Sequence, residues 1–146
     1  MSAPICFTAG HFACGQPTPA QLAALSRDGV QTVINLRAPD EPVEYDEAAE
    51  SARLGLRYVA LPIHGADDLD LARVRQFGQA LDDARRCGGV LIHCASANRA
   101  GALVALDEAI NRGRPLHAAL AQGRAAGLAS LEPAVVALVE REAAQR

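Results

Sequence analysis

The segment from Gly89 to Leu106 constrains this chain more than any other. Gly89-Val90-Leu91-Ile92 is a short apolar run that reads as a buried strand, and Ala102-Leu103-Val104-Ala105-Leu106 reads as a helix. Between them stand His93-Cys94-Ala95-Ser96-Ala97-Asn98-Arg99-Ala100-Gly101. A cysteine closing a strand, a tight turn of small residues and an arginine opening a helix make an oxyanion cradle with a nucleophile at its base. The first N–H groups of a helix have no intrahelical partners. They converge on one spot, and the helix dipole favours an anion there. The same field favours the thiolate of Cys94, and Arg99 adds a planar fork that matches two phosphate oxygens. A free cysteine is most often a small buried hydrophobe. An arginine at a helix start, however, opposes the dipole, and that cost makes sense beside a bound anion.

The rest of the chain predicts the frame around this loop. Cys6 to Ala9 is a first short strand. Thr18, Pro19 and Gln21 supply a cap, a first helical residue and a capping box, and Gly29 ends the helix they open. Gln31 to Leu36 is a strand. Pro39 and Pro42 make residues 38 to 42 a loop. A helix is expected from Val43 to Leu54, a strand from Leu56 to Ile63 and a loop from His64 to Leu69. Leu71, Val74, Phe77 and Leu81 form one apolar stripe, predicting a helix from Asp70 to Arg86. Three helical segments follow the cysteine loop, Arg99 to Asn111, Pro115 to Ala125 and Pro133 to Ala144. Strands alternating with helices imply an α/β fold, a central and mostly parallel sheet of four to five strands flanked by helices. Ligands of such sheets bind beyond the strand carboxyl ends, where Cys94 lies.

A chain of 146 residues fits a single domain over 1–146, with residues 1–11 expected as a loosely packed N-terminal segment. The net charge of −3 gives no reason to expect a nucleic-acid partner. No apolar run of about 18 residues exists and no leader-like segment opens the chain, so neither a membrane partner nor export is expected. Cys6, Cys14, Cys87 and Cys94 match no zinc or redox spacing. No metal and no cofactor is expected, and a reduced, cytoplasmic setting is the simplest reading. Cys87, before Gly88-Gly89, reads as a helix-end residue.

The Cys94–Arg99 loop resembles the active-site loop of the cysteine-dependent protein tyrosine and dual-specificity phosphatases. Four residues separate Cys94 from Arg99 rather than the usual five, which is typical of a bacterial branch, the beta-lactamase-hydrolase-like phosphatase family. Gly15 to Leu22, Gly29, Thr32 to Arg37, Tyr58 to Pro62 and Gly123 to Leu128 are similar to other parts of that family, so the resemblance runs from about Phe12 to Pro133. It implies a dual-specificity-phosphatase-like fold and a phosphomonoester hydrolase working through a phosphocysteine. Its substrate is a phosphorylated small molecule or a phosphoprotein, and a phosphate or sulfate anion occupies the loop. Two departures stand out. Ala97 replaces a common glycine, restricting positive φ, and Ala100 removes a hydroxyl that stabilises the leaving thiolate.

The roles divide accordingly. Cys94 is the nucleophile, and Ala95, Ser96, Ala97, Asn98 and Arg99 bind phosphate. Ser96 and Asn98 also suit a turn, and Asn98 is a candidate for tuning the thiolate. His93 is expected to lie buried, either behind the loop and bonding its backbone or filling space in the core. Arg37 is expected to brace the loop or pair with Glu41, and Arg124 to sit at the surface or brace a loop. The resemblance places the general acid between His64 and Asp70. Asp68 and Asp67 rank equally, His64 third, and Asp40 and Glu41 are further possibilities, although an aspartate before a helix is also a good cap. Two other functions remain open: a rhodanese-like sulfurtransferase, whose loop also has Cys, four residues and Arg, and a catalytically weak phosphate-binding module. The helical reading of Pro115 to Gln122 weighs against the first, because rhodanese-like domains return to a strand there.

Overall fold

Burial on both faces turns an apolar run into a central strand, and Gly89–His93 takes that place. The computed structural model describes residues 3–145. Its strands are β1 (Ile5–Thr8), β2 (His11–Cys14), β3 (Val30–Asn35), β4 (Arg57–Ala60) and β5 (Gly89–His93). They form one sheet in the order β1-β2-β5-β3-β4. β5 is parallel to β2 and β3, β3 is parallel to β4, and only β1 runs antiparallel to its neighbour. The helices are α1 (Pro19–Arg27), α2 (Glu47–Arg53), α3 (Leu71–Cys87), α4 (Asn98–Leu106), α5 (Leu116–Ala125) and α6 (Glu132–Ala144).

Alternation along β5 splits the core in two. Val90 and Ile92 pack with Phe77 and Leu81 of α3, Leu103 of α4 and Val135 of α6. Leu91 packs on the other face with Leu22, Leu25, Val33 and Leu56, beneath α1 and α2. Each fully buried side chain of this size contributes roughly 1.5–3 kcal/mol. The expected α/β architecture with helices on both faces is therefore the observed one.

Local chemistry sets the ends. The Thr18–Gln21 capping box is present. Asp70 caps α3 by accepting from the Arg73 amide at 2.8 Å. The helix expected from Val43 starts only at Glu47, because Asp46 takes the cap position and accepts from the Ala49 amide. The Tyr45 hydroxyl is committed to the Pro17 carbonyl instead. β4 stops at Ala60, two residues before Pro62, although the Leu61 and Ile63 amides still bond Asn35 and Leu36 carbonyls at 2.9 Å each. β2 was not expected; its four residues carry no alternation long enough to register. The N-terminal segment expected to pack loosely supplies β1, on the sheet edge with Ile5 and Cys6 exposed. Met1 and Ser2 lie outside the described residues.

One contact seats the cysteine loop on the helical layer. A Cβ on Gly101 would stand 2.0 Å from the Leu128 nitrogen and 2.6 Å from the Gly123 carbonyl oxygen. Only glycine lets α4 approach the end of α5 this closely. Among the described residues no helix is long and apolar enough to cross a membrane.

Candidate active site

The cysteine loop leaves the carboxyl end of β5 and runs directly into α4. The Cys94 amide bonds the Cys14 carbonyl at 3.3 Å, and Ser96 forms an isolated bridge with Gly15. Cys94 is fully buried at the floor of the turn. Ala97 takes the left-handed conformation, φ 72°, and is the one non-glycine residue described with positive φ. The alanine thus holds the conformation the sequence suggested it would resist, at a cost of roughly 1–2 kcal/mol. α4 starts at Asn98, so the unsatisfied amides of its first turn lie in the cradle region.

Arg99 is held rather than free. Its Nη1 and Nη2 donate to the two oxygens of Glu41 at 2.7 and 2.8 Å, and Nη1 also donates to the Ile63 carbonyl at 2.8 Å. Its side chain is 12% exposed, and it interacts with the Cys94 sulfur. These bonds fix both terminal nitrogens of the guanidinium beside Cys94. Arg37 braces the clamp as expected, reaching Glu41 at 3.4 Å, the Pro42 carbonyl at 2.7 Å and the Gln16 side chain.

Glu41 is therefore no proton donor, in contrast to the possibility raised above. The hydrogen bond from Arg99 lowers its carboxyl from 4.5 to about 2, helped by the Ala38 amide and the charge of both arginines against a desolvation cost. Because the folded value is the lower one, the stability this pair contributes is complete above about pH 4.5 and is lost as pH falls through about 2. The stability difference between wild type and Glu41→Gln, measured by denaturant unfolding, should be constant above pH 5 and shrink towards pH 2. A difference that grows on acidification would contradict the clamp.

His93 is fully buried, but its partner differs from the one expected. Nε2 meets the Glu47 carboxylate at 2.5 Å, while Nδ1 has no partner among the described residues. Glu47 is itself buried and accepts from Gln16 at 2.8 Å. Sequence reasoning missed Glu47 and Gln16, because an acidic residue in the first turn of a helix ordinarily signals the dipole, not a buried pair. It also missed Cys14, whose thiol burial pushes up to about 12, with Cys94 and Glu47 nearby adding to the shift.

Asn98 is engaged by the loop after α5. Its Oδ1 accepts from the Ala129 amide at 2.8 Å and its Nδ2 donates to Ser130, tying the loop after α5 to the start of α4. Arg124 makes an exposed two-pronged pair with Glu132. On the loop before α3, Asp67 is exposed. Asp68 accepts from both the amide and Nδ1 of His64, at 2.8 and 2.9 Å, and these bonds hold its carboxyl below the usual range. A cavity of about 370 Å³ between Pro17, Pro42, Val43 and Tyr45 opens beside Ala95, with room for the organic part of a substrate.

Comparison with known proteins agrees with this geometry. A family model described as DSP-PTPase phosphatase fused to NAD+ kinase matches residues 7–134. The beta-lactamase hydrolase-like protein of Xylella fastidiosa is 36% identical over 101 residues, covering 66% of this chain and 23% of that protein. The dual specificity protein phosphatase TpbA of Pseudomonas aeruginosa is 32% identical over 112 residues, covering 76% of this chain and 48% of TpbA. The chain thus spans less than half the length of either curated relative. Among solved structures, a candidate phosphatase of Shewanella putrefaciens aligns with a TM-score of 0.77 at 25% identity, over 99% of this chain and 93% of that one. A TpbA variant in complex with phosphotyrosine aligns with a TM-score of 0.69 at 27% identity, over 88% and 77%. The helix at α5, where a sulfurtransferase would return to a strand, points the same way. The chain belongs to the family of that model, described as DSP-PTPase phosphatase fused to NAD+ kinase.

Proposed function

We propose that the chain hydrolyses phosphomonoesters through a phosphocysteine on Cys94, without a metal. The observation that carries this reading is the Glu41-clamped Arg99 beside the buried Cys94 at a helix start. The Cys94 thiolate attacks phosphorus in line with the departing ester oxygen. Arg99 and the amides from Ala95 onward hold the equatorial oxygens, where charge is greatest in the transition state. A group on the His64–Asp68 loop protonates the leaving oxygen. Water then cleaves the S–P bond and releases the thiolate. Ala100 is buried and offers no hydroxyl to that thiolate, which makes the second step the slower one.

The TpbA complex with phosphotyrosine supports a phosphorylated side chain or small phosphomonoester as substrate. The four unpaired cysteines fit a reducing compartment such as the cytoplasm. Purified protein in excess chelator should release phosphate from phenyl phosphate and transfer no sulfur from thiosulfate to cyanide. Sulfur transfer without phosphatase activity would overturn the reading in favour of a sulfurtransferase.

A further inference from the structure

We infer that His64, oriented by Asp68, is the group that gives the leaving oxygen its proton; this rests on the Cys94 reading above. The Ile63 carbonyl is bonded to Arg99 at 2.8 Å, so the next residue, His64, stands at the rim of the cradle. Its Nδ1 is fixed on Asp68 at 2.9 Å, and its Nε2 faces Asp40 at 3.9 Å from the loop that also carries Glu41. The imidazole thus spans the two loops whose adjacent residues, Glu41 and Ile63, hold Arg99. Arg73 stands 3.7 Å from Asp68 on the other flank. Asp68, Asp40 and Arg73 are the charged groups paired around this ring.

A carboxylate that accepts two hydrogen bonds and sits near an arginine is a poor proton donor and a good orienting partner. Asp68 fixes one ring nitrogen at 2.9 Å and orients the ring, leaving Nε2–H as the mobile proton, the division of labour seen where a carboxylate backs a catalytic histidine. In the first step sulfur bonds to phosphorus, the P–O pair moves to the ester oxygen, and that oxygen takes the Nε2 proton. In the second step neutral Nε2 takes a proton from the attacking water, and the S–P pair returns to Cys94. The ring is then protonated again and the cycle closes.

The test uses leaving groups. Phenolate needs a proton to depart and dinitrophenolate does not. His64→Ala should lower kcat/KM on phenyl phosphate by about 10²-fold or more and on dinitrophenyl phosphate by less than about tenfold. Asp68→Asn should lower kcat/KM on phenyl phosphate more than on dinitrophenyl phosphate, since the ring loses the carboxylate that fixes its orientation. Asp67→Asn should leave the ratio between the two substrates unchanged. Equal losses on both substrates for His64→Ala, or a selective loss on phenyl phosphate for Asp67→Asn, would overturn the assignment. If instead the Cys94 reading is at fault, Cys94→Ser keeps its activity on dinitrophenyl phosphate, which separates the two failures.

Discussion

Replacing Cys94 by serine should lower kcat/KM on aryl phosphates by about 10⁴-fold or more, in the range seen when an enzyme loses its activated nucleophile. The sulfur lies just before a helix start and interacts with a guanidinium clamped by Glu41. A serine hydroxyl ionises far above a thiol and is a much weaker nucleophile at neutral pH. Because Cys94 is fully buried and serine is close to it in size, fold and thermal unfolding should change little. The assay is steady-state release of phenol, compared with denaturant unfolding of the same preparation. Residual activity within tenfold of wild type, in protein purified apart from any host phosphatase, would remove Cys94 from the chemistry.

Arg99→Lys should cost roughly 10²–10³-fold in kcat, the scale for losing one preorganised donor to a developing negative charge. Lysine keeps the charge but not the planar fork, so it cannot meet both oxygens of Glu41 and an anion at once. The loss of the Glu41 pair should also show in binding, because the freed carboxylate then faces the site where phosphate sits. Inhibition by inorganic phosphate should therefore weaken along with kcat. Full activity in Arg99→Lys would mean that the loop amides alone stabilise the transition state.

Much of this molecule was legible in its sequence, and the reasons are local. β5, α3 and the cysteine loop each carry a pattern that one physical rule reads, such as burial on both faces, an apolar stripe or a helix start after a strand. The Thr18–Gln21 box and the Asp70 cap were readable because capping acts within one turn. What stayed hidden depends on side chains far apart in sequence. His93 meets Glu47 across 46 positions, and Arg99 meets Glu41 across 58. No spacing rule announces such pairs. The Val43–Leu54 stretch misled because Tyr45 is engaged by Pro17, a tertiary bond that overrides helix propensity. The side-chain partners of Asn98 stayed hidden for a similar reason, since they lie beyond α5.

The account's central claim is that the phosphoryl group rests on Cys94 between the two steps. Rapid mixing with an aryl phosphate, acid quenching and peptide mass analysis address it directly. The predicted result is a burst of phenol about equal to the enzyme concentration, a slower steady phase, and phosphate found on the peptide carrying Cys94. Ala100→Ser should quicken the steady phase more than the burst. Single-phase phenol release with no phosphate on that peptide, at times when turnover is under way, would contradict it.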